Sequence, residues 1–449
     1  MKKVLFLTVI LAVAAGTMNA QQATTVILLN HSTLKKKVEK SDEDIAHEKK
    51  GVKPTTWVKR GELFQDVFNQ GLEQMQVGLD KTMMTINYGE PESTETKDGV
   101  TIYKYETINY YFEGGQMRGW TRNDPIHEAP LQEALRSFEK ALALEDEGKK
   151  EKLQEKMEDE LTNLKDQFIR SGQNHYYLGD KKTALKEFEA VIEIDKEFSI
   201  FNDVVDTLMI NFSAIVAKDI AQEENSEEMY RESIKYYQQL TDLGYGGSTV
   251  YLQMDPLFKI VGDTVGAIES LQKGLKQYPD SSFLVALTAQ TYYQLDENEK
   301  GLAFINKRLA DRPDCATAYF WKGLLISNQP EISEDTIKMV LELYEKALEL
   351  DPDNGQIWFQ SGYVNYALGA NKFELESYEE DEALRKQHSK EGKEYYNVAI
   401  EKLEKAYDLL GNEKSLQIEA LDLLKRIYYK LYGMEDARYK DVQQRLNNL

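Results

Sequence analysis

KQYPDS at residues 276–281 and ADRPDC at residues 310–315 set the period of this chain. Pro279 and Pro313 lie 34 residues apart (313 − 279 = 34), each closing an amphipathic stretch and preceding another. Pro352 in LELDPDN follows 39 residues later (352 − 313 = 39), one further repeat carrying a five-residue insertion. Proline has no amide hydrogen to donate and its ring obstructs the preceding turn, so here it ends one helix and turns the chain into the next. A fixed period of this size predicts an array of helix pairs, each burying its apolar faces against its neighbours.

Between the prolines, small and large residues recur where two packed helices require them. SGQNHYYLGDKKTALKEFEAVIEID, residues 171–195, places Gly172 on a first helix, Gly179 at a turn, and Ala184 and Phe188 four apart on one face of a second helix. Trp358, Gly362 and Gly369 head a later pair, while Tyr344 and Ala347, and then Leu403 and Ala406, take second-helix core positions. These spacings resemble the tetratricopeptide repeat, a W..LG..Y then A...F..A..P pattern, over most of residues 130 to 449. The resemblance implies an all-α solenoid of about eight helix pairs. Phe201 to Leu240 is a degenerate pair, with Ser233 in place of alanine and Tyr237 as its aromatic. Helices near 415–431 and 435–447 end the array, the polar tail DVQQRLNNL suiting a cap over the last core face. The charged stretch from Glu374 to Tyr396 reads as a helical extension projecting from the pair headed by Trp358, or as a solvated bulge without consequence.

The amino terminus reads as an export signal. Lys2 and Lys3 precede an apolar run from Val4 to Ala15, and small or polar residues follow to Ala20, so residues 1–20 are expected to be cleaved after Ala20, or alternatively after Ala15. The run falls short of the about 20 apolar residues a spanning helix needs. Together these predict an exported protein, periplasmic or peripheral to the outer membrane of a diderm bacterium. The single cysteine, Cys315, can neither form an internal disulfide nor carry a lipid at the cleavage junction, so stability must come from burial. A 41% apolar composition with 27 tyrosines and 16 phenylalanines supplies the means. Formal charge is −22, becoming −24 once Lys2 and Lys3 are lost (−22 − 2 = −24). That field disfavours nucleic acid and anionic membranes as partners; it suits either a solvated helical surface or an acidic face that steers a basic partner.

Residues 21–53 read as a helical or extended lead-in, and residues 54–72 as the first repeat helix, with Trp57, Gly61 and Phe64 in TTWVKRGELF. Its matching second helix, with Ala134, Phe138 and Ala141 in LQEALRSFEKALALE, comes about 70 residues later, at the start of a solenoid spanning 126–449. Residues 73–125 are therefore an insert. VGLDKTMMTINYGEP reads as a short amphipathic helix ending at Gly89 and Pro91; VTIYKYE, INYYFE, a Gly114-Gly115 turn and QMRGWTR read as a small antiparallel sheet. From Gly78 to about Arg122 this piece resembles the SmpA/OmlA-like fold of small outer-membrane assembly lipoproteins, in which a G-(M/L)-(S/T/D)-x-x-x-V-x-x-x-x-G-x-P helix precedes a three-stranded sheet. The resemblance rests on Gly78, Leu79, Gly89, Pro91 and the Phe112-to-Trp120 hairpin. The chain departs from it in having Met84 or Thr85 where valine is usual, and in having no lipidated cysteine. A structural module and a docking wedge both remain open for the insert.

No convergent set of catalytic groups stands out. His31, His47, His127, His175 and His388 have no paired-ligand spacing, so the sequence gives zinc no anchor, and His175 reads as a packed core residue in a position usually held by tyrosine. DPDNGQIW fails as a calcium loop because Leu350 falls where the first ligand aspartate belongs. Neither GxxxxGK[ST] nor GxGxxG occurs. No enzyme, cofactor or metal is expected. The basic run Lys35 to Lys37 reads as a solvated helix face.

First helices of successive pairs line the concave side of such an array. The repeat frame places Gln173, Tyr176, Gln290, Tyr293, Phe320, Leu324, Phe359, Tyr363 and Tyr366 on or near that side, where aromatic and amide groups could grip a peptide or protein; packing between repeats is the alternative for each. Repeat domains that hold a chaperone's carboxyl terminus present Lys and Asn there, and this sequence does not. The apolar segment TTVILLN, which follows the signal, is a candidate to occupy the groove from within the chain.

Overall fold

A computed structural model describes residues 30–73, 79–201, 205–329 and 333–448. The export signal, most of TTVILLN and Gly78 of the insert motif lie outside the described residues. The chain divides into two compact units between Tyr245 and Gly246. The division falls at a turn of Gly244, Gly246 and Gly247, whose φ angles of 69°, 72° and 62° suit residues without a side chain.

The first unit opens with α1 (His31–Ala46) and α2 (Pro54–Asn69). A small α+β element follows, made of α3 (Lys81–Tyr88) and strands β1 (Ser93–Lys97), β2 (Val100–Lys104), β3 (Ile108–Glu113) and β4 (Gln116–Arg122). Then come α4 (Pro130–Leu144), α5 (Lys150–Leu178), α6 (Lys181–Glu197), α7 (Thr207–Glu224) and α8 (Glu227–Asp242). The pairs are α2 with α4, α5 with α6, and α7 with α8. The second unit runs through α9 (Thr249–Ile260), α10 (Thr264–Gln277), α11 (Ser282–Gln294), α12 (Asn298–Asp311) and α13 (Ala316–Ser327). It continues through α14 (Glu334–Leu350), α15 (Gly355–Tyr378), α16 (Glu382–Leu409), α17 (Lys414–Tyr432) and α18 (Ala437–Asn447), each helix pairing with the next, α9 with α10 onward. Eight helix pairs thus stand among the described residues, each unit being an α-solenoid arrangement of such pairs.

Local chemistry sets the helix starts. Pro54 and Pro130 stand in the first turns of α2 and α4, where a missing amide costs nothing. Elsewhere a side-chain oxygen accepts an orphan amide: Asp180 from Thr183, Ser281 from Leu284, Asn354 from Ile357. Thus Pro279 and Pro352 end the preceding helix while a capping residue two positions later starts the next.

Within a pair, glycine meets ring. A Cβ added to Gly61 would lie 2.6 Å from the Phe138 ring, and one added to Gly172 would lie 2.5 Å from Phe188 Cε1. Phe64, Ala134, Phe138 and Ala141 are fully buried, so the first pair closes across the insert. Trp57 is only half-buried, its indole donating to the Gly51 carbonyl at 2.7 Å.

The insert is a four-stranded antiparallel meander in the order β1-β2-β3-β4. Only three of its strands show in the sequence pattern. All five β1 residues are exposed, so β1 carries none of the alternation that marks β2 to β4. Tyr103, Tyr110, Phe112, Met117 and Trp120 are buried, as is Met84 of α3. The insert is anchored to the repeats: Arg122 donates to the carbonyls of Phe68 and Gln70, Tyr110 to that of Gly71, and the Trp120 amide to Asn174 Oδ1 at 2.8 Å.

The stretch from Glu374 to Tyr396 lengthens both α15 and α16, and none of residues 374–391 is buried. Within it only Gly392 and Tyr396 are buried, beside Phe373 just before it, while Tyr378 is 80% exposed. In the terminal helix α18 only Val442 is buried, as a polar cap requires.

Gly172→Ala tests the glycine-to-ring contact. Alanine ordinarily stabilises a helix interior relative to glycine by roughly 0.5–1 kcal/mol. Here the ring edge must move, and thermal unfolding should report a loss of about 1–3 kcal/mol instead. Adding Phe188→Leu should recover part of that loss.

Candidate binding surface

On α11, Leu284, Val285, Leu287, Thr288, Ala289, Thr291 and Tyr292 are buried, which leaves a narrow open strip at Gln290, Tyr293 and Gln294. Tyr293 is 37% exposed and meets the half-buried Trp321 of α13 edge-on, ring centroids 6.3 Å apart. Leu324, one turn along α13, is half-buried against the cluster formed by Phe320, Val340, Tyr344 and Ile357. On α15, Tyr363 is 48% exposed and Tyr366 lies flat on Tyr396, centroids 5.6 Å apart with the planes at 1°.

Two residues expected on the surface are core residues. Phe320 is 9% and Phe359 4% exposed, Phe320 packing on Trp321 and Tyr344 and Phe359 in the cluster with Leu403 and Leu421. At 100° per residue, a one-position offset rotates a side chain from a groove to a core. That offset hid Trp321, which borders Tyr293 where the repeat frame had put Phe320. The adjacent aromatic pair Phe320-Trp321 was the available signal.

Gln173 and Tyr176 belong to the first unit, on α5, and both are half-buried. The Tyr176 hydroxyl donates to Asp219 Oδ2 on α7 at 2.7 Å, and Lys181 Nζ sits 5.8 Å over its ring. Burial, followed by the Asp219 bond, holds this phenol above its usual range. Tyr176 therefore ties two helices together. The nine residues fall into an α5 group in the first unit and an α11–α13–α15 group in the second.

His175 Nδ1 lies 2.9 Å from Glu187 Oε2, and Ser171 Oγ donates to Glu187 Oε1 at 2.9 Å. Glu187 is only 4% exposed, so this bonding offsets the cost of burying its carboxylate. Cys315 is half-buried and unpaired with another cysteine. Among the described residues, no group of three His, Cys, Asp or Glu side chains is placed to hold a metal ion. Nor is any helix there long and apolar enough to cross a membrane.

No protein-family model matches the chain. The chain is 30% identical over 114 residues to the CTR9 protein homolog of Arabidopsis thaliana, which covers 24% of this chain and 10% of that protein. It thus spans about a tenth of the length of that curated relative. Among solved structures it is similar to PilW, described as a widely conserved type IV pilus biogenesis factor, at 15% identity over 52% of this chain and 92% of PilW, with a TM-score of 0.33. A thermophilic TPR protein of Thermus thermophilus aligns at 16% identity over 45% and 98% of the two chains, with a TM-score of 0.29. A TPR repeats protein of Bacteroides fragilis aligns at 14% identity over 58% and 97%, with a TM-score of 0.30.

Burial opposes protonation of His175, but the Glu187 bond and charge outweigh it and raise the ring above its ordinary value of 6.5. A raised histidine contributes stability that is complete below its unfolded pKa and is lost as pH rises through the folded one. An NMR titration of His175 should therefore give a midpoint above 6.5. Replacing His175 with Gln should reduce the loss of thermal stability between about pH 6 and 8.

Proposed function

We propose that the chain is a non-catalytic protein–protein interaction scaffold of the periplasm, binding a peptide or protein partner on the concave face formed by first helices of its repeats. The observation that carries this is the pair of open tyrosines, Tyr293 and Tyr363, on α11 and α15, flanked by Gln290, Leu324 and Tyr366 and backed by a closed core. Tyrosine presents a broad apolar face with a hydroxyl at its rim and loses little side-chain entropy when covered, which suits recognition of a polypeptide. The charged start, apolar run and small residues of Met1 to Ala20 support export.

Photocrosslinking in intact cells tests the site. A photoreactive residue at Tyr293 or Tyr363 should capture one dominant protein, whereas the same group at the exposed Lys307 of α12 should not. Purified chain carrying Tyr293→Ala and Tyr363→Ala should bind the captured protein at least about tenfold more weakly. Equal capture at Lys307, or unchanged affinity, would remove this face as the site.

A second function, as an accessory factor in envelope assembly or polysaccharide handling that docks through the insert, is favoured by α3, where Met83 is 44% and Ile86 70% exposed beside the buried Met84. Because Trp120 and Arg122 hold the insert to the repeats, deleting it would damage the fold. Met83→Asp with Ile86→Asp is the cleaner probe: it should lower co-fractionation with the envelope while leaving thermal stability unchanged. Undiminished co-fractionation would dispose of the docking role.

A further inference from the structure

Basic side chains gather in this acidic chain around a groove of about 800 Å³ between α1 and α2. Seven basic and three acidic side chains line it, a net of +4 (7 − 3 = 4) on a chain of net charge −22. Three of the cations are committed: Lys40 to Glu43 and Asp44, Lys50 to Asp44, and Arg60 to Asp42 and Glu133. The other four, Lys36, Lys37, Lys53 and Lys59, make no ion pair among the described residues. Burial pushes the Asp66 carboxyl in the groove up, with Lys37 opposing. At one end α2 begins at Pro54 without a side-chain cap, and its exposed Thr55 adds to the lining, so the positive end of the helix dipole reinforces the lysines.

The shape of the groove argues for an extended ligand. α1 buries only Leu34 and leaves Lys36, Lys37 and Lys40 exposed on the groove. Lys36 and Lys40, the latter shared with Glu43 and Asp44, are one turn apart, about 6 Å along the axis. Alternate residues of an extended chain place their side chains about 6.6–7 Å apart on one side, so glutamates or aspartates at every second position match that spacing. Thr33, Ser41 and Thr56 add hydroxyls, and Leu63 an apolar contact, suited to a peptide backbone. A long polyanion, whether nucleic acid or a charged membrane, would run beyond the groove onto a surface of its own sign, while a short acidic segment feels the local lysines within a screening length of about 8 Å.

We propose that the α1–α2 groove binds a short, extended acidic segment of a partner polypeptide, at a site separate from the tyrosine-bearing face of α11–α15. The full chain would be titrated against a fluorescein-labelled decapeptide of alternating glutamate and serine, with alternating glycine and serine as control, and followed by fluorescence anisotropy. Saturable binding of the acidic peptide alone is expected, weakening as salt rises. Lys36→Glu with Lys53→Glu should lower affinity by about tenfold or more, and the neutral Lys36→Gln with Lys53→Gln by less. Tyr293→Ala with Tyr363→Ala should leave it unchanged, so failure here and failure of the tyrosine face are told apart. An unaltered melting temperature would establish that the lysine variants fold. Binding no better than the control, or equal binding by the charge-reversed protein, would overturn the proposal. So would tighter binding of a 20-nucleotide DNA, a heparin oligosaccharide or phosphatidylserine vesicles through the same lysines.

Discussion

Glycine on the first helix of a pair receives a ring from the second, and the rest of the architecture depends on that contact. Gly61 receives Phe138, Gly172 receives Phe188, and Gly323 receives Tyr344. Without a Cβ on one side, two helix axes come close enough for a whole ring to be enclosed, and Phe138 and Tyr344 are fully buried. Each contact fixes the rotation of one helix against its partner. That rotation determines which residues of the first helix face outward.

The insert shows how strong this constraint is. About 60 residues separate α2 from α4, yet the pair closes as if they were adjacent, because a long surface excursion adds little closure entropy once the apolar faces can meet. The insert in turn uses the pair as its base, with Arg122 satisfying carbonyls at the end of α2 and the Trp120 amide reaching Asn174 on α5. These are the orphan carbonyls any helix leaves at its carboxyl end, and a buried guanidinium can satisfy two at once.

Charge is distributed with the same economy. Many ion pairs are short-range links on exposed helix faces, which contribute little individually. Some buried charges have more than one partner, such as Glu187 with His175 and Ser171, or Arg60 between Asp42 and Glu133. The α1–α2 groove gathers four lysines that make no ion pair among the described residues, on a chain of net charge −22.

The repeat was legible in the sequence because proline, glycine, alanine and aromatic residues at a 34-residue spacing each report a local steric requirement that neighbouring residues cannot override. Gly172 with Phe188, and Gly61 with Phe138 across the insert, are of this kind. β1 was not legible, since an exposed edge strand carries no alternation, and neither was the side of α13 that Trp321 occupies. Tertiary packing alone put Phe320 and Phe359 inside and left Tyr293 and Tyr363 open, because a helix face is chosen by how its neighbours pack against it and a shift of one residue turns it by 100°. The same holds for the run Lys35 to Lys37: by itself it is only a solvated face, and its Lys36 and Lys37 become part of a groove wall once α2 lies beside them.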